Sequence, residues 1–327
     1  MNILLTGGAG YIGSIVGLFL IDKGHEVTVV DNLVTGNQKF IPKKANFLNA
    51  DIADEKKITD LLKNNKFDLV MHFAGLVKVD ESFNFPNKYN LYNVDKAKSF
   101  FKSCIEAGLN KIIFSSTAGV YGKSIKNEVD EKDPLEPLSP YSRNKIEVEK
   151  YLIDLSQKKK INCVILRYFN VAGADYKNRS GMVSKNSKNV IKAVCEFALE
   201  KREEFSINGT DYSTKDGTPI RDFIHVSDLA DIHLIIAKYL KEGGKTEIFN
   251  CGYGKGFSVL EIISEFEKII DRKIDYKITH RRKGDAEISV ANVEKIYKEL
   301  SWKPENDDLS VILESALKWE KKLMTHS

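Results

Sequence analysis

Along the first half of the chain, short β-branched runs alternate with longer segments in which apolar residues recur every three or four positions. The short runs, Asn2–Thr6, Val27–Val30, Leu69–His72, Lys111–Ser115 and Cys163–Tyr168, predict strands, and the amphipathic stretches between most of them predict helices. That alternation is the pattern of an α/β protein, a parallel sheet wrapped by helices. Two segments break the rhythm. Residues 122–140 are polar and carry Pro134, Pro137 and Pro140, and residues 173–188 are rich in Gly, Ser, Asn and Lys. Both read as long loops of the kind that bind or cover a ligand. Beyond them the pattern predicts a helix at Val190–Glu200, a loop containing "GTDYSTKDGTPIRD", a helix from about Ser227, and a strand at Glu247–Asn250. The last helix follows Asp307 and Asp308 and sets Leu309, Ile312, Leu313, Ala316 and Leu317 along one face. There is no internal repeat and no low-complexity tract.

At 327 residues, the chain suits one large or two modest domains. Its 42% hydrophobic and 29% charged content is that of a globular protein, and no run approaches the roughly 18 apolar residues of a membrane span. The first residues lack the features of a secretory signal, so the expected location is cytoplasmic, with no membrane partner. Cys104, Cys163, Cys195 and Cys251 are widely spaced, which suggests neither a disulfide framework nor a metal site; buried, reduced thiols are expected. A formal charge of +4, with lysines interspersed among acidic residues, argues against a nucleic-acid partner.

Candidate chemistry begins at residues 6–13, "TGGAGYIG", where Gly7, Gly10 and Gly13 follow the first predicted strand and open a helix through Tyr11 and Ile12. Glycines let the backbone approach a pyrophosphate, whose charge is met by amides at the helix N-terminus. The second strand ends at Asp31, near the interval expected for a carboxylate that accepts from an adenosine ribose. The reading is therefore a Rossmann-type doubly wound parallel sheet. Asp31 would repel a 2′-phosphate and the following "NLVTGN" has no arginine, so NAD is favoured over NADP.

A second unit is "PYSRNK", which places Tyr141 and Lys145 four apart at the start of a predicted helix, on one face. With 13 tyrosines and many lysines, spacing alone means little, and Tyr92 and Lys96 repeat it. Tyr141 differs by its setting, a loop beyond the strand that ends in the hydroxyls of Ser115, Ser116 and Thr117. A nearby ammonium and a positive nicotinamide ring would favour its phenolate, allowing Tyr141 to take a proton from a sugar hydroxyl while carbon loses hydride. Tyr92 and Lys96 are expected to be an incidental solvent-facing pair.

Here the residues resemble a family, the extended short-chain dehydrogenase/reductases and, within them, the UDP-galactose 4-epimerases. The resemblance runs through "LLTGGAGYIGS", "VVDNLVTGN", "HFAGLVKVDES", "SSTAGVYG", "PYSRNK", "LRYFNVAGA", "DGTPIRDFIHVSDLA" and "RRKGD". It implies Tyr141 as base, Lys145 as its partner and nicotinamide-ribose donor, and Thr117 as the hydroxyl that bonds the substrate oxygen. It implies adenosine contacts from Asp31, Asn32, Asp51 and Ile52, and nicotinamide-side contacts around Phe73, Ala74 and Phe169. For a UDP-sugar it points to Asn170, Asn189, Arg221, Arg282 and Asp285; the plainer reading of the two arginines is surface ion pairing. No metal is implied. The implied reaction is oxidation at C4 to a transient 4-keto sugar, rotation of that sugar, and return of hydride to its other face.

The resemblance also implies a smaller C-terminal α/β substrate domain. The boundaries read as 1–173, joined by about 223–250, for NAD, with 174–222 and 251–327 for the nucleotide sugar. A nucleotide-sugar dehydratase needs an acid and base after the threonine, where this chain has Ala118 and Gly119. Another NAD-dependent nucleotide-sugar enzyme and a non-catalytic NAD sensor are the remaining alternatives. The chain departs from the family at Tyr92, where asparagine is common, at Phe223, where tyrosine is common, and at Ser289, where some members carry tyrosine beside the sugar. Ser289 leaves room for a 2-acetamido group, unless other residues set the pocket volume. The family's homodimer is expected too, although the stripe Val148, Tyr151, Leu152 and Leu155 serves equally well for internal packing.

Overall fold

The structure is a computed structural model that describes residues 1–122, 127–183 and 187–325. Parts of the two expected loops, residues 123–126 and 184–186, lie outside the described residues. In chain order the strands are β1 (Asn2–Thr6), β2 (Glu26–Asp31), β3 (Asn46–Asn49), β4 (Leu69–His72), β5 (Lys111–Thr117), β6 (Asn162–Tyr168) and β7 (Asn170–Ala172). They continue with β8 (Ser206–Asn208), β9 (Ile220–His225), β10 (Glu247–Cys251), β11 (Gly256–Ser258), β12 (Lys277–Thr279) and β13 (Ile288–Ser289).

Seven strands form one sheet in the order β10-β6-β5-β4-β1-β2-β3, and every neighbouring pair is parallel. Side chains alternate across a strand, so each strand feeds two cores. Ile3, Leu5, Val27, Val29, Leu69, Met71, Val164 and Leu166 enter one core, and Leu4, Val30, Val70, Ile112, Phe114, Cys163 and Ile165 enter the other. Helices Tyr11–Asp22 and Val226–Lys241 cover the first face, while Glu55–Asn64, Lys96–Glu106 and Pro140–Gln157 cover the second. The last of these buries Val148, Leu152 and Leu155 against the sheet, so the stripe noted in the sequence packs internally.

Sequence periodicity missed β3, an edge strand of sequence NFLN with only two apolar residues. It also missed the short strands of the C-terminal part. There β9 pairs with β11, β13 and β7, and β8 pairs with β12. This region is α/β as expected, and among the described residues its Phe205, Phe223, Ile262, Phe266, Trp302 and Leu313 belong to the core that begins under β1. The helix expected at 190–200 spans Val190–Ala198, because Glu200 adopts a left-handed φ of 59° that closes the turn. The C-terminal helix, Leu309–Thr325, buries Leu309, Ile312, Leu313 and Leu317 as its pattern predicts.

One buried ion pair fastens the helix Pro140–Gln157 to the sheet. The Arg167 guanidinium donates from Nη2 to Glu149 Oε2 at 2.7 Å and from Nε to Oε1 at 3.2 Å, with both side chains almost fully buried. Ser116 donates to the same carboxylate, and Arg167 Nη1 donates to the Tyr121 hydroxyl and the Glu131 carbonyl, each at 3.0 Å. Removing one partner strands the other charge. Glu149→Ala is expected to cost ~3–5 kcal/mol in urea unfolding, and a Glu149→Leu/Arg167→Met double variant to recover most of that loss.

Candidate active site

The strand order reverses beside β1, which has β2 on one side and β4 on the other. In a parallel sheet a ligand crevice opens outside the strand C-termini at that point. Gly7, at φ +73°, leaves β1 so close to the end of β4 that an added Cβ would stand 2.6 Å from the Ala74 amide nitrogen. A Cβ on Gly13 would meet the Gly7 carbonyl oxygen at 2.5 Å, so helix Tyr11–Asp22 is pressed onto the loop. No side chain caps that helix at Gly10, which leaves its first-turn amides for an anion. The loop therefore fits a dinucleotide pyrophosphate. Tyr11 contributes only its backbone there, since its hydroxyl donates to the Gly173 carbonyl at 2.7 Å. Asp31 is held at the end of β2 by the Ala9 amide at 3.0 Å and the Leu33 amide at 2.8 Å.

Asn32 donates to Asp51 at 3.1 Å, and Lys96 pairs with the same carboxylate at 2.5 Å. Burial opposes the charge of Asp51, yet Lys96, the Ala53 amide and Asn32 together hold its pKa below the ordinary value. Lys96 also stands 3.9 Å from the centre of the Tyr92 ring. The repeat pair is therefore a partly buried cation–π contact tied to Asp51, not the idle solvent-facing pair its spacing suggested. Ile52 is buried in the second core, and Phe73 and Phe169 leave β4 and β6 on the same edge of the sheet. The Phe73 amide donates to the Thr6 carbonyl at 2.9 Å, and its ring lies 5.1 Å from His233.

Thr117 is the last residue of β5. Its Oγ1 accepts from the Gly119 amide at 3.1 Å, which leaves its own proton to donate. Helix Pro140–Gln157 begins with Pro140 at its first position and Ser139 as cap, accepting from the Ser142 amide at 3.1 Å. One turn on, the buried Lys145 ammonium donates to the Ser115 carbonyl at 2.7 Å, 5.8 Å from the Tyr141 ring centre. Burial drives the two groups toward neutrality in opposite directions. It pushes the Tyr141 phenol up to about 12, opposed by the Thr117 hydroxyl, and the Lys145 ammonium down to about 8, opposed by Glu149. The Lys145 ammonium donates to a main-chain carbonyl and not to the phenol.

Asn170, Asn189, Arg221, Arg282 and Asp285 line a single cleft of about 300 Å³. Asn189 also caps helix Val190–Ala198, accepting from the Lys192 amide at 3.2 Å. Arg221 pairs with Asp285 at 2.5 Å and donates to the carbonyls of Ile220, at 2.8 Å, and Ala286. Arg282 donates to the Lys188 carbonyl at 3.0 Å. The cleft walls carry Lys188, Arg202, Arg221 and Arg282 against Glu204 and Asp285, four cations to two carboxylates, a balance suited to an anionic ligand. Among the described residues no group of three or more His, Cys, Asp or Glu side chains is placed to hold a metal ion, and no helix is long and apolar enough to cross a membrane.

The family model for the NAD dependent epimerase/dehydratase family matches residues 3–252. The chain belongs to that family. Across the epimerase/dehydratase family, a UDP-glucose 4-epimerase of Azospirillum brasilense is 40% identical over 98% of this chain and 92% of its own. A UDP-glucose 4-epimerase of Stenotrophomonas maltophila, solved with bound NAD and formylated UDP-arabinopyranose, superposes with a TM-score of 0.96 at 33% identity over the whole of both chains. The UDP-Glc/GlcNAc 4-epimerase of Campylobacter jejuni superposes with a TM-score of 0.85 at 40% identity, covering 98% of this chain and 99% of that one.

Sequence reasoning did not single out Lys188 and Arg202 in the cleft, nor Glu149 behind Lys145. Glu149 was open to recognition, since it lies four residues beyond Lys145 on the same helical face. The Lys145 geometry has a thermodynamic signature. Its folded pKa lies below the ordinary lysine value, so between about pH 8 and 10.5 the unfolded chain binds more protons and stability rises with pH. In urea unfolding of cofactor-free protein, wild type should gain on Lys145→Met across that window, by ~3 kcal/mol at most. A pH-independent difference would show that the ammonium is not depressed.

Proposed function

We propose that this protein is an NAD-dependent UDP-sugar 4-epimerase that interconverts UDP-glucose and UDP-galactose through a transient 4-keto sugar. The observation that carries the reading is the convergence of Asn170, Asn189, Arg221, Arg282 and Asp285, distant in sequence, on one cationic cleft beyond the strand ends that carry Thr117 and Phe169. When bound, NAD takes the C4 hydride and returns it. Tyr141 exchanges the O4 proton and Thr117 donates to the same oxygen, keeping it placed. Lys145 supplies positive charge and a donor beside the phenol. Arg221 and Arg282 hold the diphosphate through planar, multiple donors while the keto sugar turns, and Asp285 accepts from the nucleoside ribose.

In this reading Gly7, Gly10, Tyr11, Ile12, Gly13, Asp31, Asn32, Asp51, Ile52, Phe73, Ala74 and Phe169 bind NAD. Residues 1–173 with about 223–250 form the cofactor unit, and 174–222 with 251–327 the sugar-nucleotide unit. A homodimer and a cytoplasmic location complete the reading. The four cysteines, all buried and unpaired, suit a reducing compartment.

The direct test is proton NMR of UDP-galactose with purified protein, first without and then with added NAD. Appearance of the C4 epimer is expected, and no change under either condition would overturn the assignment. Tyr141→Phe should lower turnover by roughly 10²–10⁴-fold with cofactor retention unchanged. A second reading concerns the sugar. Ser289 is half-buried and stands in register with Arg221, and register partners in a parallel pair face the same side of the sheet, here the side of the cleft. The small side chain leaves room for a 2-acetamido group. Ser289→Tyr should therefore depress UDP-N-acetylglucosamine turnover more than UDP-glucose turnover, and equal losses would sink the idea.

A further inference from the structure

Phe83 lies on the short helix Val79–Asn84, sequence VDESFN, and belongs to none of the hydrophobic cores among the described residues. Core packing therefore does not account for it. Its ring seats the segment 282–285 that carries Arg282 and Asp285. The Lys283 ammonium stands 4.8 Å from the ring centre, and a Cβ added at Gly284, where φ is +80°, would meet the ring edge at 3.2 Å. Glycine permits both the left-handed turn and the close approach.

The same helix has two further connections. Asp80 pairs with Lys188, whose carbonyl accepts from Arg282 Nη1 at 3.0 Å. Ser82 Oγ accepts from the backbone amide of Tyr141 at 3.3 Å, and Ser82 in turn donates to the Val79 carbonyl at 2.5 Å. Between β12 and β13 the segment 280–287 has no regular structure; the Ile220 amide donates to the Glu287 carbonyl at 2.9 Å at its end, and side-chain contacts hold the rest. Arg281 anchors one end on Asp211 at 2.8 Å, and Asp285 anchors the other on Arg221. Phe83 supports the middle.

We propose that Phe83 is a positioning residue for the diphosphate-anchoring segment, and that helix Val79–Asn84 braces that segment against the backbone of the Tyr141 helix. The proposal rests on the epimerase reading, since it gives Arg282 a ligand to hold. Phe83 acts through Gly284 and Arg282 and is not itself among the residues that line the cleft. Its loss frees the segment to move and weakens nucleotide binding, while the Thr117, Tyr141 and Lys145 cluster keeps its geometry.

The test combines calorimetric titration with UDP and kinetics with UDP-galactose. Phe83→Ala should raise the UDP Kd and the UDP-galactose KM together by roughly 5- to 20-fold, with kcat within about twofold and NAD retention unchanged. Phe83→Tyr, which keeps the ring, should restore both, and Asp80→Asn, which cuts the second tie, should shift both in the same direction. Arg282→Ala should raise the Kd by itself, and adding Phe83→Ala to it should change little further, because the two act as one unit. Multiplicative effects in the double variant, or a fall in kcat at constant KM, would overturn the positioning role. Wild-type protein that binds no UDP would overturn the epimerase reading and this inference with it, whereas wild-type binding that survives Phe83→Ala unchanged overturns this inference alone.

Discussion

The parallel direction of the seven central strands is the constraint on which the rest depends. Because every strand runs the same way, each delivers its C-terminal residue to one edge, and the segments after β1, β2, β4, β5 and β6 must share that edge. The reversal of order beside β1 separates those segments just enough to open a crevice. Gly7 and Gly13 are the local cost of the arrangement, since any larger residue would collide with backbone at 2.6 or 2.5 Å. Asp31, Phe73, Thr117 and Phe169 come together through no affinity for one another; each is simply near the point where its strand runs out.

The alternation that fills both cores also assigns the polar groups. Ser115, Ser116 and Thr117 are consecutive on β5, yet their hydroxyls meet three different partners: Tyr168 at 2.9 Å, Glu149, and the Gly119 amide at 3.1 Å. The partner of Ser115 is part of a chain with a definite polarity. Burial keeps His233 neutral, with a pKa pushed down to about 4, and its Nδ1 donates to the Leu229 carbonyl at 2.7 Å. Nε2 is then an acceptor, so the Tyr168 hydroxyl donates to it at 2.7 Å and the Tyr168 oxygen accepts from Ser115. This fixes the strand whose Ser115 carbonyl receives Lys145. Glu149 links the other side, holding Arg167 by a bidentate contact while its charge supports the ammonium one turn away. Stability and the candidate chemistry thus share the same side chains.

Much of this was legible in the sequence for a physical reason. Strands buried on both faces write unbroken apolar runs, which is why β1, β2, β4, β5 and β6 stood out, and the position of Tyr141 after the β5 hydroxyls separated it from Tyr92. Of the strands that escaped notice, β7, β8 and β11 to β13 are two or three residues long, too short for a period to register, β3 offers only two apolar positions, and β9 begins inside the stretch read as a loop, at its Ile220–Asp222. Lys145 was placed beside Tyr141 correctly in space, but its hydrogen-bond partner is a main-chain carbonyl that no side-chain pattern can announce. Lys96 was dismissed because a spacing rule sees one helix at a time, whereas its partner Asp51 comes from the end of another strand. Arg221 and Arg282 were legible as residues and not as a cleft, since their common wall forms only when β9 and the segment before β13 meet.

Burial and main-chain oxygens set much of the charge balance around the site. Tyr141 is pushed up and Lys145 down, so their neutral forms are both favoured by burial, and the ammonium leans on a carbonyl dipole. In the cleft, Arg221 and Asp285 pair with one another, while Arg282 is held by a carbonyl oxygen. A site arranged this way gains most from a ligand that brings complementary charge, because the desolvation of the protein groups has already been met in folding. A dianionic diphosphate would offer acceptors to both arginines, and a cationic ring beside Tyr141 would favour its phenolate. The same burial that makes Lys145 a burden on the cofactor-free fold makes the proton of Tyr141 responsive to what is bound beside it.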